Sequence, residues 1–178
     1  MPVKGLKVCT PTSIAYSGTS ASINADGSVS FTACTSLSLN GVFTSDYDNY
    51  MVTIRGSQAS DTDLNGRLRS SGTDSSASYT NQYIQARSTT VSSNRNASAH
   101  ISIGSWGSTQ RAGTTLYLFG PYLAQPTATR TVGLQDTGSA SIYDIAATHS
   151  VSSSYDGLTL FSNGSNMTGL LTVAGWVQ

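Results

Sequence analysis

His100 and His149 are the only imidazoles in the chain, and its nine acidic residues are all Asp. General acid–base chemistry near neutral pH would therefore fall to these two histidines or to a perturbed aspartate. Serine is plentiful, so a Ser–His–Asp arrangement is conceivable, but no Gly-x-Ser-x-Gly elbow exposes a nucleophile. Both histidines fall in or at the end of predicted strands, where a structural role is expected. Two carboxylates could flank a glycosidic bond, yet no spacing selects a pair. Asp61-Thr62-Asp63-Leu64-Asn65-Gly66 matches the start of a calcium loop, but Gly72 stands where the closing bidentate Glu belongs. Arg67 and Arg69 also oppose a cation there, so a polar turn is expected. Phosphate-cradling glycine loops are absent. These residues predict no catalytic group, no cofactor and no metal.

The elements that would position such side chains are strands. Ser and Thr supply roughly three residues in ten, Glu is absent and Lys occurs twice. Losing Glu and Lys removes good helix formers, while Thr, Val, Ile and Tyr favour extended chain. Apolar residues alternate in short segments near 29–31, 37–39, 50–55, 64–69, 79–86, 100–103, 115–119, 130–135, 142–151, 158–161 and 170–176. About ten short strands between Gly, Ser, Asn and Asp turns, with no helical crossovers, predict an all-β antiparallel β-sandwich of jelly-roll type. Residues 88–98 and 105–113 read as polar loops that would present Arg95, Trp106 and Arg111. Trp106, Tyr79, Tyr83 and Tyr122 could stack on a sugar ring, although core packing is the commoner use of aromatics in a sandwich. Asn163-Gly164, between the last two strands, predicts a hairpin turn.

Formal net charge is zero and the basic residues are scattered, which gives no footprint for nucleic acid or anionic lipid. No apolar run reaches membrane-spanning length, and residues 1–25 lack the apolar middle of a signal peptide. Synthesis in the cytoplasm is the expectation. Residues 1–27 read as an extended N-terminal arm, carrying Lys4, Leu6, Val8 and Ile14 and ordered by a partner, ahead of a single sandwich domain at 28–178. A Cys9–Cys34 disulfide would tie that arm to the first strand; buried free thiols are the alternative that a cytoplasmic origin favours.

One stretch organises the chain. Ser45-Asp46-Tyr47-Asp48-Asn49-Tyr50 forms a turn dense in Asp, Asn and Tyr, and then Tyr50, Val52 and Ile54 alternate. Ser153-Ser154-Tyr155-Asp156-Gly157-Leu158 repeats the pattern, so two corners of one β-fold are expected. At each, the tyrosine packs at the strand entry and Asp48 or Asp156 braces the turn.

Ser38-Leu39-Asn40-Gly41-Val42-Phe43-Thr44-Ser45-Asp46-Tyr47-Asp48-Asn49-Tyr50 resembles a signature of small virion structural proteins of tailed bacteriophages. Thr10-Pro11-Thr12-Ser13-Ile14-Ala15, Arg67-Leu68-Arg69, Tyr117-Leu118-Phe119-Gly120-Pro121-Tyr122, Ser154-Tyr155-Asp156-Gly157-Leu158-Thr159 and Met167-Thr168-Gly169 resemble the same family in the same order. Cys9 and Cys34 depart from its pattern. The resemblance implies a virion structural protein without enzymatic activity. The expected role is a head decoration, or cement, protein on the outer shell, contacting the major capsid protein at capsomer junctions through the arm residues Lys4, Leu6, Val8 and Ile14. Local threefold symmetry at such junctions makes a homotrimer the expected assembly. The alternative is a tail-tip or tail-fibre receptor-binding module that would use Arg95, Trp106 and Arg111.

Overall fold

The structure, a computed structural model, describes residues 5–108, 112–136 and 140–177, apart from the side chains of residues 135 and 136. Its strands are β1 (Gly5–Val8), β2 (Ser13–Ile23), β3 (Val29–Asn40), β4 (Asn49–Gln58), β5 (Thr62–Ser70), β6 (Thr73–Asp74) and β7 (Tyr79–Arg87). They continue as β8 (Thr90–Ser98), β9 (Ile101–Trp106), β10 (Ala112–Phe119), β11 (Gln125–Asp136), β12 (Ala140–Ser153), β13 (Gly157–Ser162) and β14 (Met167–Val177). The fold is all-β and antiparallel, with 14 strands rather than the ten expected. Hydrogen bonding runs β6-β5-β13-β3-β14-β4-β10-β11-β12-β7-β8, with β1 on β14, β2 on β3 and β9 on β5. This sheet curls into a sandwich-like form, because β9, carried by β5, packs against β11 and β12 from the other arm of the path.

Alternation sets the core. Tyr50, Val52 and Ile54 of β4 face inward, as do Leu64 and Leu68 of β5, Leu116 and Leu118 of β10, and Leu158 and Leu160 of β13. Along β3 the inward positions are Val29, Phe31, Cys34, Leu37 and Leu39. The three-residue step from Phe31 to Cys34 spans Ala33, whose φ of 49° marks a bulge, and the next step, from Cys34 to Leu37, lies at a register shift opposite Ser17 and Gly18. There the strand changes partner: residues 29–34 pair with β14 and residues 36–39 with β13. That partner change corrects the expected hairpin at Asn163-Gly164. β2 takes one edge of β3, and β13 and β14 take successive segments of the other, so residues 163–166 connect strands that do not pair with each other.

The N-terminal segment also differs from expectation. Rather than waiting for a partner, residues 5–8 pair with residues 174–177 of β14, and β2 pairs with β3 over almost its full length. Residues 88–98, expected as a loop, form β8, which pairs with β7 through a two-residue turn at Ser88 and Thr89. β8 exposes side chains on both faces and is held mainly by backbone pairing, while β2 is mostly exposed and packs only Ile14 and Ala21 against the core. The calcium-like string is likewise strand, since β5 begins at Thr62. Cys9 and Cys34 are free thiols. The Cys34 thiol donates to the Ser20 carbonyl at 3.3 Å, and burial raises both thiol pKa values.

Candidate functional site

The signature stretch closes on itself. The Tyr50 hydroxyl accepts from the Thr44 N–H at 2.7 Å and donates to the Thr44 carbonyl at 2.8 Å, locking the loop that leads into β4. Burial raises the pKa of this hydroxyl. The Tyr50 ring lies 4.8 Å from Phe43 and meets Tyr47 edge-on at 6.0 Å. Tyr47 in turn packs so closely over Gly175 of β14 that a Cβ there would enter its ring, which is why this position is glycine.

The second corner joins the first directly. The Asp156 carbonyl accepts from the N–H groups of Val42 and Phe43 at 3.0 and 3.1 Å. Its Oδ2 accepts from the Ser71 N–H at 3.2 Å. Gly157 must lack a side chain because its Cα faces the Leu39 carbonyl and the Arg69 stem. The turn at residues 120–122 links the two corners, with the Gly120 N–H donating to the Asp48 carbonyl and the Tyr155 N–H donating to the Pro121 carbonyl, both at 2.9 Å. Three segments that carry the phage resemblance therefore meet at one end of the sandwich. Among the corner residues, Tyr50 and Tyr155 are buried, Tyr47 is partly buried and Asp48 is exposed. Arg69 is buried beside this junction, paired with Asp74 at 3.0 Å and with the Thr159 hydroxyl at 2.6 Å.

His149 forms a second constellation. Its Nδ1–H donates to the Ser78 carbonyl at 3.2 Å, leaving Nε2 to accept from the hydroxyls of Tyr155 at 2.7 Å and Ser75 at 2.9 Å. The imidazole stacks on Tyr79 at 4.3 Å and 17°. Burial lowers its pKa, which favours the neutral ring, and pushes the Tyr79 hydroxyl up to about 12. The Ser75–His149 contact has the reach of a nucleophile and its base. However, Nδ1 is oriented by a backbone carbonyl, Tyr155 shares Nε2, and the ring is 1 % exposed. The arrangement is a buried hydrogen-bonded node joining β12 to the Tyr155 corner. His100 is half-buried, edge-on to Phe161 at 5.7 Å. Its pKa is lowered by burial, with Arg67 adding to the effect.

The expected contact residues divide. Arg95 is exposed on β8, but on a strand rather than a loop. Trp106 is a correction: it is 1 % exposed, and its Nε1–H points at the Thr114 hydroxyl at 3.4 Å. Ile101 and Ile103 face the core, and the bulge at Gly104 (φ 136°) shifts the alternation so that Trp106 faces the core too. Leu6 and Val8 are exposed on β1, while Ile14 packs partly against the core. Lys4 and Arg111 lie outside the described residues.

What sequence reasoning missed is the outer face of the sheet. Register places Tyr117, Val132, Leu134, Ile142, Ile84, Ala86 and Val91 on one surface, running across β10, β11, β12, β7 and β8. Val91 is 72 % exposed, Ile142 64 % and Ile84 55 %. Tyr117 stacks on Trp176 of β14 at 5.8 Å and 7°, and Leu6 of β1 sits opposite Trp176, carrying the surface to the other side. Arg130 and Asp144 form an exposed ion pair within it at 2.6 Å. In β11 the alternation is inverted, with Thr127, Thr129 and Thr131 buried and Val132 and Leu134 facing outward, so a pattern read as apolar-inward hides this face.

No family model matches the chain, and no curated protein matches it. Among solved structures it is similar to domain 4 of AbnA, a GH43 extracellular arabinanase from Geobacillus stearothermophilus, in complex with arabinotriose, at 11 % identity and a TM-score of 0.35. The match covers 98 % of this chain and 83 % of that one. At that TM-score the likeness carries no argument about fold or function.

Proposed function

We propose that the chain is a structural protein of a tailed-phage virion: a head decoration protein, seated on the outer shell at capsomer junctions against the major capsid protein. The observation that carries this reading is the exposed apolar outer face. Soluble monomers rarely leave contiguous apolar surface beyond a few hundred Å² in water, and a larger rimmed patch marks a surface meant to be covered. Here the face is built on paired strands, and its charges are the Arg130–Asp144 pair with Arg55 and Arg95 at its margins. The resemblance of the corner segments to phage virion proteins supports the same reading, since those segments build the scaffold that holds the face.

Leu6 and Val8, expected as anchors on a free arm, belong to β1 and extend this face beside Trp176. Shell contact would thus use a surface rather than a tether. A homotrimer at a threefold junction multiplies modest per-copy affinity, because the second and third contacts form at high effective concentration. The tail-tip alternative has less to rest on, since Trp106 is buried. Phage particles lacking the protein are expected to assemble but to release DNA at lower temperature than wild type. Unchanged capsid composition and heat resistance in those particles would overturn the reading.

A further inference from the structure

A polar cavity of about 220 Å³ opens where the inner faces of β7, β8 and β12 leave the apolar core and meet β5 and β9. Asn65 and Ile145 form its buried floor, Tyr83 and Tyr143 one wall, and the exposed Asp63 and Asn94 its rim. The tyrosine rings are 6.4 Å apart and tilted by 55°. Asp63 Oδ1 accepts the Ser105 hydroxyl at 2.5 Å, which fixes the carboxylate at the mouth. Asn94 and Asn96 of β8 and Ser102 of β9 also line it, so side-chain amides and hydroxyls gather around the Asp63 carboxylate. Asn65, 1 % exposed, closes the floor with an amide nitrogen that is itself sealed from the cavity.

The lining selects the ligand class. Arg and Lys are absent from it, Asp63 is its single carboxylate, and burial lowers the pKa of His100, its one imidazole, so an anion meets repulsion and a divalent cation finds only one carboxylate. Amides and hydroxyls disfavour an apolar guest. A polyhydroxyl ring fits: its hydroxyls accept from the Asn94 and Asn96 amides and donate to Asp63, and its C–H face lies against tyrosine. The volume is below the roughly 300–1,000 Å³ of drug-sized pockets, which restricts the guest to about one ring. We propose that this cavity binds a single sugar ring of a neutral saccharide. It lies on the inner side of the sandwich, away from the outer apolar face, so its occupancy does not depend on where the protein sits in a particle.

The test is a ¹H–¹⁵N titration of the whole protein with the methyl glycosides of N-acetylglucosamine, galactose, mannose and rhamnose. The side-chain amide of Asn65 is assigned from its loss in Asn65→Leu. At least one glycoside is expected to shift that amide saturably in the millimolar range. Asp63→Ala, at an exposed position that leaves the core intact, should weaken that binding about tenfold or more, which is 1.4 kcal/mol. Absence of a saturable shift with all four glycosides, with water alone filling the cavity, would overturn the proposal. So would undiminished binding by Asp63→Ala.

Discussion

Tyr50→Phe removes a single oxygen from the signature stretch and isolates what that oxygen does. The ring is fully buried, and its contacts with Phe43 and Tyr47 do not involve the hydroxyl, so phenylalanine preserves the packing. What disappears is the pair of bonds to the Thr44 N–H and carbonyl at 2.7 and 2.8 Å. Each buried polar group left without a partner costs about 1–3 kcal/mol. Thr44 is half-buried, so water recovers part of the loss, and a combined cost of about 2–3 kcal/mol follows. For a chain of this size about 1 kcal/mol shifts Tm by about 2–4 °C, so Tm should fall by about 4–12 °C. Scanning calorimetry reads the shift, and urea unfolding with an unchanged m-value confirms that the native state is otherwise the same. A Tm within about 1 °C of wild type would refute the claim that this hydroxyl locks the corner.

Three further outcomes follow from other parts of the molecule. Tyr47→Ala uncovers Gly175 and removes the edge contact with Tyr50, and should cost about 1–3 kcal/mol in urea unfolding; an unchanged midpoint would show that the ring contributes nothing to stability. His149 and His100 both have folded pKa values below the unfolded value of about 6.5, so their contribution is complete above that pH. As pH falls further the unfolded chain binds protons first. Stability should then drop by up to about 1.4 kcal/mol per pH unit per histidine until the folded pKa values are reached, and His149→Gln should remove part of that slope. A flat urea midpoint between about pH 7 and 5 would contradict this. Ile142→Asp places a charge in the exposed apolar face without touching the core. It should weaken binding of the purified protein to shells that lack it while leaving Tm within about 2 °C; undiminished binding would remove Ile142 from the contact surface.

The sequence revealed the strand class and most of the core because alternation there is one-sided. Tyr50, Val52 and Ile54, or Leu64 and Leu68, could face only one way. It concealed β8 because Thr90 to Ser98 has no buried face, and a strand held only by backbone pairing leaves no periodic trace. β2 was hidden because only Ile14 and Ala21, seven residues apart, meet the core, too sparse for a period. Trp106 was misplaced because a bulge at Gly104 shifts the alternation, and a bulge is a backbone conformation rather than a residue pattern. Pairing of β13 and β14 was misjudged because Asn-Gly marks a turn but does not say whether the flanking strands meet. Both corners were legible as corners. That they join through the turn at residues 120–122 was not, because only long-range hydrogen bonds make that junction.

The apolar outer face matters most for function, and one measurement addresses it directly: a cryo-electron microscopy reconstruction of the intact phage particle. Density for this fold at threefold capsomer junctions, with β10, β11, β12 and β7 buried against neighbouring subunits, is the expected result. Density confined to the tail, or a head-bound copy with Val132, Ile142 and Val91 facing solvent, would contradict it.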